Sequence, residues 1–257
     1  MKKLNVNRIV LLLFILAGMS IRSQEKELIW EENFDGKTLN TEFWKIESGD
    51  GCPELCGWGN NEEQSYTPDN IRLKDGYLHI SALKEQNNYT SGRITTKGKK
   101  NFKYGTYEVR LKLPRGKGLW PAVWMLGSNM DEVGWPMCGE IDMMEYVGRE
   151  PNKFFTTLHT QDSHGNSKNT RKDLIPGLDE GFHVFKTEWN EQHISFYVDG
   201  EHFYTFNPKE RTKEVWPFDQ PFYLIVNLAI GGNFGGSEID DKQLPQDLVV
   251  DYIKIYQ

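Results

Sequence analysis

The 257-residue sequence carries 37 acidic against 30 basic side chains, a formal charge of −7, and is 13% aromatic with eight Trp. An acidic chain is a poor partner for nucleic acid or anionic lipid unless a local basic patch offsets it, and the one candidate, "KGKK" at Lys97–Lys100, reads as a short solvated turn. Its three cysteines come with no second Cys or His pair at ligand spacing, which argues against zinc.

The chain opens with Lys2 and Lys3, an apolar run from Ile9 to Ala17 and small or polar residues up to Ser23. That is the pattern of a secretory signal peptide over residues 1–23. The apolar run is about half the roughly 20 residues a membrane span needs, and no later segment is long enough, so no membrane span is expected. Cleavage would remove Lys2, Lys3, Arg8 and Arg22 and no acid, taking the net charge from −7 to −11. Residues 24–257 suit one large domain, exported to the periplasm or the medium. Export places Cys52, Cys56 and Cys138 in an oxidising compartment. Cys52 and Cys56 can close a small loop around Pro53, with Cys138 a buried thiol; pairing of Cys138 with either of them stays open.

From Ile29 onward, short runs rich in Val, Ile, Tyr, Phe and Trp alternate with Gly, Asn, Asp and Pro, the signature of an antiparallel sandwich or barrel. Period-2 strands are predicted at Gly76–Leu83, Tyr104–Leu113, His183–Asn190, His193–Gly200 and Asp247–Gln257. Asp199-Gly200 is a strong hairpin-turn signal. No long amphipathic helix, repeat or low-complexity linker marks a second domain. Several Trp sit beside Gly, Pro or Asn, in "GWGNNEEQSYT", "GLWPAVWML" and "GWPMCGEID". Aromatic faces placed this way suit the apolar faces of sugar rings.

The segment "GEIDMMEYVG", Gly139–Gly148, holds Glu140, Asp142 and Glu145. On a helix Glu140 would point away from the other two. A regular strand puts Glu140 and Asp142 on one face and Glu145 on the other. One extra residue at Met143 or Met144, absorbed as a β-bulge, restores the phase and brings all three onto one face. Glu140 and Glu145 are then four strand steps apart, about 13 Å between α-carbons at roughly 3.3 Å per residue, a span their side chains can close over a concave sheet. Two carboxyl groups flanking a glycosidic bond suffice for hydrolysis, and crowding by Asp142 would push their pKa values apart. A solvated acidic face or a Ca²⁺ or Mg²⁺ site are the alternatives. The apolar Ile141, Met143, Met144 and Val147 argue against the first, and the lack of Asn, Asp and Gly loop ligands against the second.

Together with "GLWPAVWML", "GWGNNEEQSYT", "NLAIGGNFGG" and "DLVVDYIKIYQ", this segment resembles glycoside hydrolase family 16, from about Ile29 to Gln257, and within it the bacterial laminarinases. The resemblance implies that residues 24–257 are one catalytic domain, a β-jelly-roll sandwich of two curved antiparallel sheets with a concave substrate cleft. It implies a retaining endo-β-1,3-glucanase, with mixed-linkage β-1,3-1,4-glucan as a second substrate, needing no catalytic cofactor and acting as a monomer. Glu140 maps to the nucleophile, Asp142 to an assisting carboxylate and Glu145 to the acid/base. Asn60 and Arg93 map to residues that bind sugars on the nonreducing side, Trp120, Trp124 and Trp135 to aromatic cleft positions, and His159 to a cleft histidine. A structural Ca²⁺ in the family would map to Asp251 with backbone oxygens near Glu32 and Gly76. Lichenases resemble the motif without the inserted residue. Agarase or carrageenase activity, or a noncatalytic β-glucan-binding module, are the competing readings; a strongly acidic chain suits a neutral glucan better than a sulfated galactan.

Overall fold

The computed structural model describes residues 26–257; the expected export signal lies outside the described residues. Short aromatic and β-branched runs pair into two sheets packed face to face. The outer sheet is ten-stranded. It contains four of the predicted strands, observed at Tyr77–Glu85, Gly105–Lys112, His183–Trp189 and Gln246–Tyr256, and the hairpin Ile194–Val198/Glu201–Phe206. Asp199 and Gly200 turn that hairpin with φ of 50° and 87°, the left-handed pair that a tight two-residue turn requires. One pairing departs from the expected antiparallel scheme: Gln64–Tyr66 runs parallel to Asn88–Ser91.

The inner sheet is seven-stranded, in the order Arg171–Leu174, Lys153–His159, Glu140–Glu145, Leu119–Gly127, Phe222–Ile230, Arg93–Thr95 and Lys45–Glu47. Its sandwich side supplies Val123, Met125, Ile141, Met143, Met144, Phe154, Leu158, Leu224, Val226 and Leu228 to the main core, against Leu78, Ile80, Val109, Leu111, Val250 and Ile253 of the outer sheet. Full burial of each such side chain is worth about 1.5–3 kcal/mol. The alternate positions form the opposite, cleft-bearing face: Trp120, Ala122 and Trp124 beside Asn227 and Ile225 on one flank and Asp142 and Glu145 on the other. Among the described residues the α-helices are single turns, Met130–Val133 and Gly232–Gly235, and no helix is long and apolar enough to cross a membrane.

The bulge inferred from the carboxylate spacing is present. Against Leu119–Gly127 the register jumps between Asp142 and Met144, and against Lys153–His159 between Asp142 and Glu145. Met143 and Met144 are both buried in the core. The Thr156 hydroxyl, opposite the bulge, donates to the Asp142 carbonyl at 2.6 Å and satisfies a group the irregular ladder sets aside.

Candidate active site

Glu140, Asp142 and Glu145 share the cleft face, Asp142 only 4% exposed and Glu145 9%. Each glutamate meets the N–H of an indole: Trp135 Nε1 donates to Glu140 Oε2 at 2.9 Å and Trp120 Nε1 to Glu145 Oε1 at 3.1 Å. His159, paired with Glu140 across neighbouring strands, brings Nε2 to 3.3 Å from Asp142 Oδ2 and 3.6 Å from Glu140 Oε1. Burial raises the pKa of all three carboxyl groups. The Asp142 charge pushes Glu140 and Glu145 higher, while the indole donors pull both back. Burial and mutual repulsion thus favour protonated carboxyls here over those of exposed glutamates.

The predicted aromatic positions are all on the cleft face, and their indole edges do more than offer stacking surface. Trp124 Nε1 donates to Asn227 Oδ1 at 2.8 Å. Neither Trp120 nor Trp124 is a core residue; both are half-buried, with Val123 and Met125 taking the core positions between and beside them. Trp135 is 40% exposed and follows the single-turn helix at Met130–Val133.

Arg93 lies at the other flank, its Nε donating to Glu47 Oε2 at 2.6 Å and its guanidinium 4.4 Å from the Trp58 ring and 5.1 Å from that of Trp124. Trp58, absent from the sequence-predicted site, adopts φ 51°, a left-handed conformation rare for a bulky side chain, and its Nε1 donates to Gly49 O. The Cys52–Cys56 disulfide is formed in the loop leading to it, and Cys138 is a buried free thiol. Asn60 closes the flank, and its Nδ2 donates to Glu62 Oε1 at 3.3 Å. Gly232 approaches Asn60 so closely, with φ 75°, that a Cβ would stand 2.8 Å from the Asn60 carbonyl.

Under this flank runs a buried polar chain that sequence reasoning missed. Glu62 Oε2 accepts from Gln64 Nε2 at 2.7 Å and from Tyr66 Oη at 3.0 Å, and Asn227 Nδ2 donates to Tyr66 Oη at 3.1 Å. Asn60, Glu62, Tyr66, Asn227 and Trp124 are thereby linked. The available signal was the polar alternation at positions 62, 64 and 66 of "EEQSY", which turns inward. Burial raises the Glu62 pKa despite its donors.

Asp251 and Glu32, named for the expected calcium, both make side-chain contacts. Asp251, at a bulge in the last strand, pairs with the Arg110 guanidinium. The Glu32 carboxylate accepts from Phe34 N and Trp44 Nε1 at 3.0 and 3.2 Å. The Asp251 carboxylate thus has a cationic partner on the neighbouring strand.

The family model for glycosyl hydrolases family 16 matches residues 59–254. A β-glucanase of Rhodothermus marinus is 37% identical over 278 aligned positions, 98% of this chain and 95% of that protein. The crystal structure of a laminarinase from Flavobacterium sp. UMI-01 superposes with a TM-score of 0.89 at 57% identity, covering 90% of this chain and all of that one. The laminarinase catalytic domain of Thermotoga maritima MSB8 gives 0.86 at 40% identity, covering 90% and 98%. With the bulged carboxylate strand, the tryptophan-lined sheet face and these likenesses converging, the chain belongs to glycosyl hydrolase family 16.

Proposed function

We propose that this chain is an exported, monomeric, endo-acting β-1,3-glucanase that cleaves laminarin-type glucan with net retention and takes mixed-linkage glucan as a second substrate. The observation that carries it is the bulge, which sets Glu140, Asp142 and Glu145 on one face with a separate indole donor on each glutamate. Glu145, whose pKa burial and two neighbouring carboxylates hold well above the glutamate range, keeps a proton to give. It protonates the glycosidic oxygen while a Glu140 oxygen attacks the anomeric carbon and the C–O bond breaks. The Glu145 carboxylate then takes a proton from a water whose oxygen displaces Glu140, restoring both groups. Asp142 shares a proton with Glu140 and returns it as the nucleophile's charge changes. The chemistry uses carboxyl groups and water and calls for no cofactor.

Asn60, Arg93 and Trp124 would hold the sugars on the nonreducing side. Arg93 is already neutralised by Glu47, which favours a neutral glucan over a sulfated galactan. A binding module would not need two glutamates each held by a donor. The test is reducing-end release from laminarin, lichenan, agarose and carrageenan by the wild type, Glu140→Gln and Glu145→Gln. Wild type should act on laminarin first, and each variant should lose roughly a thousandfold or more in kcat. Binding of laminarin without cleavage would establish the module reading, and near-wild-type activity in either variant would overturn the roles.

A further inference from the structure

His159 stands between two carboxylates, and the ligand atoms of Glu140, Asp142 and His159 lie within 4.8 Å of one another. That clustering fits two different devices: a metal held by one imidazole and two carboxylates, or a histidine N–H donated between them. The second ring nitrogen distinguishes them. A metal-bound imidazole ligates through a lone pair and donates its other N–H to an acceptor. Here the other nitrogen, Nδ1, faces a donor, the backbone N–H of Gly165 at 3.1 Å. The lone pair is spent on Gly165, so neutral imidazole carries its proton at Nε2, pointing at Asp142 and Glu140.

The chain is shaped to deliver that N–H. His159 ends its strand, Thr160 and Ser163 exchange backbone hydrogen bonds, and the turn brings Gly165 back onto the ring with φ 62°. No side chain crowds the position where a Gly165 Cβ would stand, so the glycine answers to its left-handed backbone rather than to space. On the receiving side, Asp142 Oδ2 is buried and accepts no formed hydrogen bond, with His159 Nε2 3.3 Å away. Catalytic hydrogen bonds are commonly loose without substrate and tighten in the complex. Glu140 Oε2 is held by Trp135, leaving Oε1 to face the histidine.

We infer that His159 is a positioning residue, locked by Gly165 as the Nε2–H tautomer, that holds Asp142 and Glu140 in register for attack and excludes a metal from the cluster. The inference rests on the glucanase reading for its consequence in catalysis, but the tautomer does not. Long-range ¹H–¹⁵N correlation of ¹⁵N-labelled protein, with His159→Gln to assign the ring, reads the tautomer without substrate. The expected result is Nε2–H, and an Nδ1–H tautomer overturns the inference. Titration with zinc chloride should show no site that His159→Gln abolishes; a one-to-one site lost in that variant also overturns it.

The catalytic arm compares two replacements. His159→Gln, which keeps an N–H donor near the Nε2 position, should retain kcat on laminarin within about fivefold. His159→Met, of similar length without a donor, should lose about 10- to 100-fold in kcat with KM little changed. Equal losses in both, or losses confined to KM, would assign the residue to packing or to sugar contact instead. A wild type inert on every glucan would overturn the functional reading alone, because the tautomer and zinc results stand without it.

Discussion

Replacing Glu62 by leucine tests whether the buried polar chain beneath the cleft is structural support for the site. The Glu62 carboxylate accepts from Gln64 Nε2 and Tyr66 Oη, both on buried residues, and from Asn60 at the cleft edge. Leucine fills much of the volume and leaves the two buried donors without that acceptor. Each orphaned buried group costs about 1–3 kcal/mol. Burial raises the Glu62 pKa, so its removal also relieves a desolvation cost. The net loss should be about 2–3 kcal/mol, or a Tm lower by roughly 4–12 °C for a domain of this size. Glu62→Gln should behave differently. Its carbonyl can serve Gln64 and Tyr66, while its amide nitrogen would face the Asn60 amide, which must then turn over and present nitrogen rather than oxygen to the cleft. Expected is a Tm close to wild type with KM on laminarin raised roughly 2- to 10-fold. Circular dichroism melts and initial rates of reducing-end release read both. An unchanged or higher Tm in Glu62→Leu would show that the carboxylate costs as much as its donors return, and would refute the support argument.

The two indole donors should separate the limbs of the pH profile. Losing a donor to an ionised carboxylate raises its pKa. On the proposed roles, Trp135→Phe should therefore move the acid limb of kcat/KM, assigned to Glu140, to higher pH by about one unit, and Trp120→Phe should move the alkaline limb, assigned to Glu145, the same way. The same limb moving in both variants would contradict the assignment. Cys52→Ser/Cys56→Ser opens a five-residue loop whose closure is worth about 2 kcal/mol, so its melt should fall by roughly 4–8 °C. Reductant should lower wild type equally and leave the variant unmoved; no change in either would mean the loop holds without the disulfide.

What the sequence made legible and what it hid divide along physical lines. The bulge could be read because three acids at positions 140, 142 and 145 conflict with both regular periods, and a conflict of phase has few solutions. The hairpin at Asp199-Gly200 was equally local. The roles of the tryptophans were hidden, because spacing places a ring on a face without saying where its N–H points; Trp120, Trp124 and Trp135 read as sugar platforms, and each aims its nitrogen at a cleft side chain. The polar chain was harder still. Tyr66 and Asn227 are 161 residues apart in sequence, and only the packing of a parallel pair against the inner sheet makes them neighbours. Asp251 likewise has a partner no local pattern flags, Arg110 on the adjacent strand.

The bulge also bears on how this motif can change length. Because two successive methionines both point inward, losing the codon for either would leave Glu140, Asp142 and Glu145 at alternate positions of a regular strand, still on the cleft face. A one-codon deletion that would rotate a helical site out of alignment is silent here in the chemistry. Its cost falls on the other side of the sheet, where one methionine's volume goes missing and the Thr156 hydroxyl loses its carbonyl. Longer and shorter versions of the strand are thus one mutational step apart, with packing rather than catalysis resisting the step.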